Sequence, residues 1–511
     1  MRQATGLLFL VLITTLTASA PAAGAEPRAW TSEQRAARHY ASIRQNSSLL
    51  LPFLREMPKG GDLHSHLAGA IYAESLIDFA AEDNFCVDRT TSNLIAPPCD
   101  DGCDRFASKP AIRCAYQDHV LYNSIVDAWS MRNWSGEESG HDHFFATFDK
   151  FLPAFINHFG AAIAEAAARA ASDHLQYLEL MHTADGGPAQ RLGAKTGWDD
   201  DFARLRQKLL ASGLPEVVAS TRQQLDHDQA AMRTALRCGT AQADAGCGVT
   251  VRYLYQVLRG LPKEQVYAQI LLGFELAQAD PRFVGLNLVM PEDWYVPMHD
   301  FELHMKMLDY LHGIYPKVHI TLHAGELAMG LVPPEGLAFH IRESVEKGHA
   351  ERIGHGVSVM NERDAIGLLR ELARRKILME ICLTSNDVIL GVRGRDHPLS
   401  AYLRYDVPAA LATDDQGVSR SDMTHEYLRA VETHDLSYLD LKRLARQSLE
   451  HSFLPGASLW AQTEPFRKVP ASATREMARP SPGCARFLDA NERARMQWRL
   501  ESDFAEFEKK F

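Results

Sequence analysis

The sequence has no excess of basic residues and no basic run: 54 Lys and Arg stand against 65 Asp and Glu, a formal net charge of −11. Proteins that track a phosphate backbone carry a basic face or stripe, so polymeric nucleic acid is excluded as an expected partner. There is no internal repeat, and no low-complexity segment beyond the N-terminal leader, which excludes repeat architectures and disordered chains. After residue 25 no apolar stretch is long enough to cross a bilayer. What is there is 46% apolar and 23% charged over 511 residues, the make-up of a globular protein with a large core.

The leader itself reads as a secretory signal. One basic residue near the start precedes the apolar run from Leu7 to Ala18, and the small residues Ala20-Pro-Ala-Ala-Gly-Ala25 supply a cleavage site after about Ala25. A single membrane anchor is the competing reading, disfavoured because the apolar run is short and small residues follow it. The mature protein is therefore expected to be secreted or periplasmic, without membrane attachment. Export permits disulfides, and the eight cysteines are spaced accordingly. Cys86, Cys99, Cys103 and Cys114 crowd one segment and are expected to form two bridges. Cys238 and Cys247 bracket a short polar loop and are expected to close it, whereas Cys382, in an apolar run, and Cys484, in a Pro- and Gly-rich tail, are expected to be free.

Residues 26–56 read as a helical arm, with Thr31 and Gln34 forming a capping-box signature. Eight strand-like runs follow, at 61–66, 175–181, 249–257, 283–289, 318–323, 352–357, 377–383 and 408–413. Helix-period segments lie between most of them, at 154–172, 199–210, 263–279, 299–314, 335–347 and 362–374. Alternation of this kind over some four hundred residues predicts an α/β fold, a (β/α)8 barrel spanning 57–455. The interval between the first two strands is too long for one crossover. It holds the four clustered cysteines, so a disulfide-stapled insertion at about 84–116 is expected there. Residues 456–511 form a tail that ends in an amphipathic helix expected to dock on the outside of the barrel.

The residues able to do chemistry gather at the ends of the apolar runs, where such barrels carry their active sites. His64 and His66 are two apart, which in a strand turns both imidazoles to one face. His323 ends the fifth run, His355 the sixth and Asp414 the eighth. His64, His66, His323 and Asp414 together make a three-nitrogen, one-carboxylate set suited to one zinc ion per chain with an open position for water. Glu326, three residues past His323, could hand over a proton, and His355 could hold or deprotonate the water. Each feature has an ordinary explanation when taken alone. A His-x-His pair can be a satisfied core group, His-Ala-Gly-Glu a turn, and Asp414-Asp415 a helix cap with a first-turn acid. It is their joint placement at strand ends of one barrel that points to a metal site. His141, His143, His158, His182, His319 and His340 read as surface or packed groups, with His182 and His319 also considered as pocket-lining.

Four separated motifs, Met57-Pro-Lys-Gly with His64-Ser-His66, Leu322-His-Ala-Gly-Glu326, Arg352-Ile-Gly-His-Gly356 and Thr413-Asp-Asp415, resemble the adenosine/AMP deaminase family of the amidohydrolase superfamily. The signal peptide, the Met-Pro-Lys-Gly opening and the stapled insertion are most similar to its secreted branch, the adenosine deaminase-related growth factors. The resemblance covers about 57–450. It implies a mononuclear zinc barrel with His64, His66, His323 and Asp414 as ligands, Glu326 protonating a purine ring nitrogen, His355 assisting the hydroxide and Asp415 bonding another ring nitrogen. The paired His-x-Glu and Pro-Cys-x-x-Cys signature of a different class of zinc deaminase is absent.

Two departures from the family pattern bear on substrate. Asn287 and Met290 occupy the acid and glycine places of the fourth-strand motif, and Ala68 stands where many relatives carry an acid near the ribose. Met290 is accordingly expected to crowd the edge of the base. The expected reaction is hydrolytic deamination of a 6-aminopurine nucleoside, adenosine or 2′-deoxyadenosine. The alternatives are a modified purine, another amidohydrolase reaction, or a secreted signalling or binding protein on the same scaffold. The expected partner is a small-molecule purine nucleoside, and the assembly considered is a homodimer.

Overall fold

The computed structural model describes Met1, 30–463, 465–470 and 480–511. The expected signal peptide and the start of the arm lie outside the described residues, as does most of the Pro- and Ser-rich part of the tail. Eight parallel strands form one sheet in chain order. They are β1 (Gly60–His66), β2 (Leu175–His182), β3 (Thr250–Leu258), β4 (Phe283–Val289), β5 (His319–Ala324), β6 (Arg352–His355), β7 (Leu378–Ile381) and β8 (Ala409–Leu411). The sheet curls back on itself where Ser65 bridges Asp414, with His66 N–H donating to Asp414 O at 3.0 Å and Asp414 N–H to His64 O at 2.9 Å. This seam between β1 and β8 lies at the C-terminal ends of the strands, so closing the barrel brings the first and last sequence motifs together. The (β/α)8 expectation is borne out strand by strand.

The physical reason is the alternation read from the sequence. Strands such as β4 are buried along their whole length, and helices cover them, Lys263–Ala279 buried on nearly every side and Ala365–Arg375 amphipathic with Leu368, Leu369 and Leu372 turned inward. The arm is two helices, Ser32–Ile43 and Ser47–Glu56, and the first is capped by the Thr31/Gln34 box. The C-terminal helix Glu492–Glu508 packs beside the arm and the barrel. Lys442, nearly fully buried, ties the three together by donating to Glu33 at 2.5 Å and to Glu508 at 2.6 Å. Lys59 of the opening motif has a structural role: its buried ammonium donates to the carbonyls of Met57 and Asp173 at 3.0 and 2.9 Å.

Three disulfides are present, Cys86–Cys99, Cys103–Cys114 and Cys238–Cys247, while Cys382 and Cys484 are free and buried. Several elements go beyond the sequence reading, among them the helices Ala73–Glu82, Gly140–Phe155, Met423–His434 and Tyr438–Glu450. The segment expected as one helix at 154–172 is the end of Gly140–Phe155 followed by Phe159–Ser172. A helix of 22 residues, Leu214–Ala235, precedes the third bridge, and the tail begins with a hairpin, Trp460–Thr463 paired with Phe466–Lys468. Among the described residues no single helix is long and apolar enough to cross a membrane.

Candidate active site

His64, His66, His323 and Asp414 converge at the seam, each offering one ligand atom, and these atoms all lie within 4.8 Å of one another. His64 Nε2 and His66 Nε2 are each 3.3 Å from Asp414 Oδ1, and His66 Nε2 is 3.1 Å from His323 Nε2. The far side of each imidazole is held. His64 Nδ1 donates to Glu380 Oε2 at 2.7 Å, His66 Nδ1 to Gln256 Oε1 at 2.9 Å and His323 Nδ1 to Asn287 Oδ1 at 3.0 Å. With the protons held at Nδ1, the three Nε2 atoms turn lone pairs toward one point. Two such nitrogens 3.1 Å apart repel unless a cation lies between them, so the donor set fits a divalent metal.

The electrostatics agree. Burial works to lower the pKa of His64, but hydrogen bonds with Asp414 and Glu380 raise it to about 10, so the pocket favours positive charge at this point. Burial and the neighbouring imidazoles push His323 well below its usual range. Asp414 is held well below the carboxylate range, because its bonds to His64 and His66 outweigh burial. Glu326, by contrast, is raised well above its usual value by burial and by the nearby Asp414 and Glu292, and is kept protonated. Burial, with Asp414 beside it, also pushes Asp415 up to about 8. The Asp415 Oδ1 atom is buried without a hydrogen-bond partner.

Backbone geometry sets these groups in place. His355, Asp414 and Met290 have φ of +67°, +57° and +86°, three non-glycine residues in the left-handed region around one cavity. Such conformations cost of order 1–3 kcal/mol each and persist where the surroundings enforce them. Gly69 and Gly354 are needed for close approach: a Cβ on Gly69 would lie 1.7 Å from Asp415 Oδ1, and one on Gly354 would lie 2.5 Å from His64 Cε1. Glu292, fully buried, accepts from the backbone N–H groups of Gly325 and Glu326 at 3.0 Å each and so fixes the turn that presents Glu326.

A cavity of about 560 Å³ opens over this cluster. Its floor includes His66, His323, Glu326, Asp414 and Asp415, and Ala68 and Met290 line it as well. One wall is apolar, with Phe144, Phe145, Phe148 and Leu152 from the helix Gly140–Phe155 facing Trp294 and Leu258. No Lys or Arg lines it.

Several sequence expectations are corrected here. His319 begins β5, at the opposite end from the cavity, where it stacks on Phe453 and bonds Glu351. His182 packs on Phe159 and does not line the cavity. Asn287 does not line the cavity: it is buried and accepts from both the backbone and the ring of His323. Met290 lines the cavity, but its sulfur turns toward Gly260, whose N–H lies 3.4 Å away, and its carbonyl accepts from Arg259 Nε and Nη2 at 3.1 and 3.0 Å. His141, read as a surface or packed group, lines the cavity and bonds both Asp142 and Asp293 at 2.9 Å. Glu380, Gln256 and Asn287 were not read as ligand holders. Asn287 and Glu380 are each the one strongly polar residue of an otherwise apolar strand, while Gln256 shares its strand with Thr250 and Arg252.

Fold and site together define a (β/α)8 barrel with a candidate metal centre at the C-terminal ends of its strands. Residues 214–459, just under half of the chain, match the family model described as adenosine deaminase. The matched segment contains His323, Glu326, His355, Asp414 and Asp415, and barrel closure adds His64 and His66 from outside it. The adenosine deaminase of Salmonella typhi is 41% identical over 137 residues, 27% of this chain and 38% of that protein. The adenosine deaminase of Clostridium perfringens is 32% identical over 135 residues, 26% of this chain and 37% of that protein. The alignments thus span little more than a third of these curated relatives. Among solved structures, Arabidopsis ADAL complexed with IMP has a TM-score of 0.53 at 19% identity, covering 89% of this chain and 99% of that one. The apo N6-methyl-AMP deaminase from Arabidopsis thaliana has a TM-score of 0.50 at 20% identity, covering 79% and 94%. At these identities the likeness is one of fold.

Proposed function

We propose that the protein is an exported, zinc-dependent hydrolytic deaminase of a 6-aminopurine nucleoside, converting adenosine or 2′-deoxyadenosine to inosine or deoxyinosine and ammonia. The observation that carries this reading is the juxtaposition, at the floor of one cavity, of a converging His/His/His/Asp set with the protonated Glu326. His64, His66, His323 and Asp414 would hold the metal, which when bound supplies a water of pKa ~7. Water adds its hydroxyl to the amine-bearing carbon as its other proton passes to a carboxylate of the cavity, and Glu326 gives its proton to the adjacent ring nitrogen. The proton taken from water then moves to the amine as the carbon–nitrogen bond breaks and ammonia leaves, and the hydroxyl proton restores Glu326. Asp415, protonated at neutral pH and with a free buried oxygen, is suited to bond a second ring nitrogen.

The sugar side is argued from charge. Asp142 and Asp149 are the remaining acids of the cavity, Glu326 and Asp415 being neutral and Asp414 a ligand, and among the described residues no Lys or Arg lines it, so a phosphate would find no cationic cradle. This favours a nucleoside over the nucleotides named for the Arabidopsis proteins. The apolar wall of Phe145, Phe148, Leu152 and Trp294 would also accommodate a modified purine. Export rests on the leader at 1–25 and is consistent with the three disulfides.

The test is a panel of adenosine, 2′-deoxyadenosine, adenine, AMP and N6-substituted adenosines, followed by ammonia or amine release and the ultraviolet change. Adenosine or deoxyadenosine should lead. AMP leading would overturn the charge argument, and no release from any member by zinc-loaded protein would overturn the reaction.

A further inference from the structure

His355 is buried behind the cavity floor, its ring 4.9 Å from that of His64 and 5.1 Å from that of His323, and its Nε2 has no hydrogen-bond partner among the described residues. What that nitrogen can do depends on which ring nitrogen carries the proton, and a chain of neighbours decides it. The backbone N–H of Leu399 donates to His397 Nδ1 at 3.2 Å. His397 therefore bears its proton on Nε2, which donates to Asn386 Oδ1 at 3.1 Å. With its oxygen so engaged, Asn386 turns Nδ2 toward His355 Nδ1 at 2.9 Å and donates to it. Turning the amide over would set an NH2 group against an imidazole N–H. Protonating His397 would set its Nδ1–H against the Leu399 N–H. Both alternatives place donor against donor in a dry setting, since Asn386 is 0% and His397 2% exposed. Burial also lowers the pKa of His397 to about 3, in keeping with a neutral ring. Glu326 Oε1, at 3.7 Å from His355 Nδ1, is beyond hydrogen-bond distance.

We propose that Asn386 and His397 are positioning residues that fix His355 as its Nε2–H tautomer, so that His355 donates a hydrogen bond to the attacking oxygen and is not the base that takes its proton. The water proton then passes to an ionised carboxylate of the cavity, while the ring nitrogen receives its proton from Glu326. The role given to His355 toward the attacking oxygen, and the kinetic readout, rest on the deaminase reading; the tautomer itself rests on the hydrogen-bond chain alone.

The test uses full-length protein labelled with 15N-histidine, in which long-range proton–nitrogen correlation spectra report which ring nitrogen is protonated, the His355 signals being identified by their loss in His355→Gln. Wild type should show His355 protonated at Nε2. In Asn386→Asp the carboxylate accepts from both rings, which should move the His355 proton to Nδ1. The kcat for adenosine should then fall by about 100-fold, with KM and zinc content near wild type. His397→Gln keeps an acceptor for Leu399 and a donor for Asn386, so it should preserve both the spectrum and kcat, whereas His397→Leu should lose both; this pair carries the test if Asn386→Asp does not fold. Wild type protonated at Nδ1, or wild-type kcat in Asn386→Asp with the proton moved, would overturn the proposal. The spectra decide the tautomer even if adenosine is not the substrate.

Discussion

Glu380 accepts a hydrogen bond from His64 Nδ1 at 2.7 Å through one oxygen, while its other oxygen accepts from Arg352 Nε at 2.7 Å and Thr321 Oγ1 at 2.9 Å. Arg352 in turn bonds Glu179 at 2.6 Å, and all of these groups are buried. A ligand-holding carboxylate is thus itself held by a buried ion pair. Glu380→Gln keeps the shape but weakens the grip on His64, and should cost about 10–100-fold in metal affinity. Glu380→Ala would leave the Arg352 charge short of a partner and should destabilise by about 3–5 kcal/mol. Competition with a chelator measures the first and chemical unfolding the second; wild-type affinity in Glu380→Gln would remove the carboxylate from the site.

Glu326 has its turn fixed by Glu292 and its proton retained by burial. Glu326→Gln removes the transferable proton while keeping size and polarity. Turnover should fall at least ~100-fold with metal still bound. Steady-state rates together with metal analysis decide this, and near-normal turnover would exclude Glu326 as the acid.

Met290 sits at φ +86° in a place that suits glycine. Met290→Gly should accept that backbone without strain and open the cavity wall, lowering KM for adenosine. Relief of strain offsets the lost packing on Gly260, so thermal stability should change by no more than about 1 kcal/mol. An unchanged KM would show that Met290 does not limit access to the base.

Glu426 is buried, accepting from Thr384 N–H at 3.1 Å and Ser421 Oγ at 2.9 Å, and burial pushes its pKa up to about 7. In the unfolded chain the value is ~4.3. Between those values the folded state keeps a proton that the unfolded chain has released, so the contribution of Glu426 to stability is full below ~4.3 and falls as pH rises through 7. Melting temperatures should decline less steeply from pH ~5 to ~8 in Glu426→Gln than in wild type. Parallel curves would contradict the assignment.

The barrel was legible in the sequence because its strands are short apolar runs bounded by polar turns, and β4 was read with the bounds it has. The histidines and acids at strand ends were legible because their residue types have few other uses in that pattern. Asn287 and Glu380 escaped notice because a single amide or acid in an apolar strand has no spacing signature, and Gln256 because it is one of several polar residues on its strand; their meaning appears only when a neighbouring strand brings a histidine to them. The placement of His319 failed for a related reason. It lies in the same apolar run as His323, and only the strand direction separates the two ends of the barrel. The helix Leu214–Ala235 lacks the strong apolar stripe by which the covering helices were recognised, being mostly polar with few buried residues.

The central claim is that one metal ion at the His64/His66/His323/Asp414 cluster enables a purine-nucleoside deaminase. Its most direct test is to strip the mature protein with chelator, restore zinc in measured equivalents, and follow ammonia release from adenosine. Turnover should be absent without metal, rise in proportion to added zinc, and level off at about one equivalent per chain, as expected for a single four-ligand site. Full turnover in metal-free protein, a break at two equivalents, or no turnover at any zinc level would contradict the account.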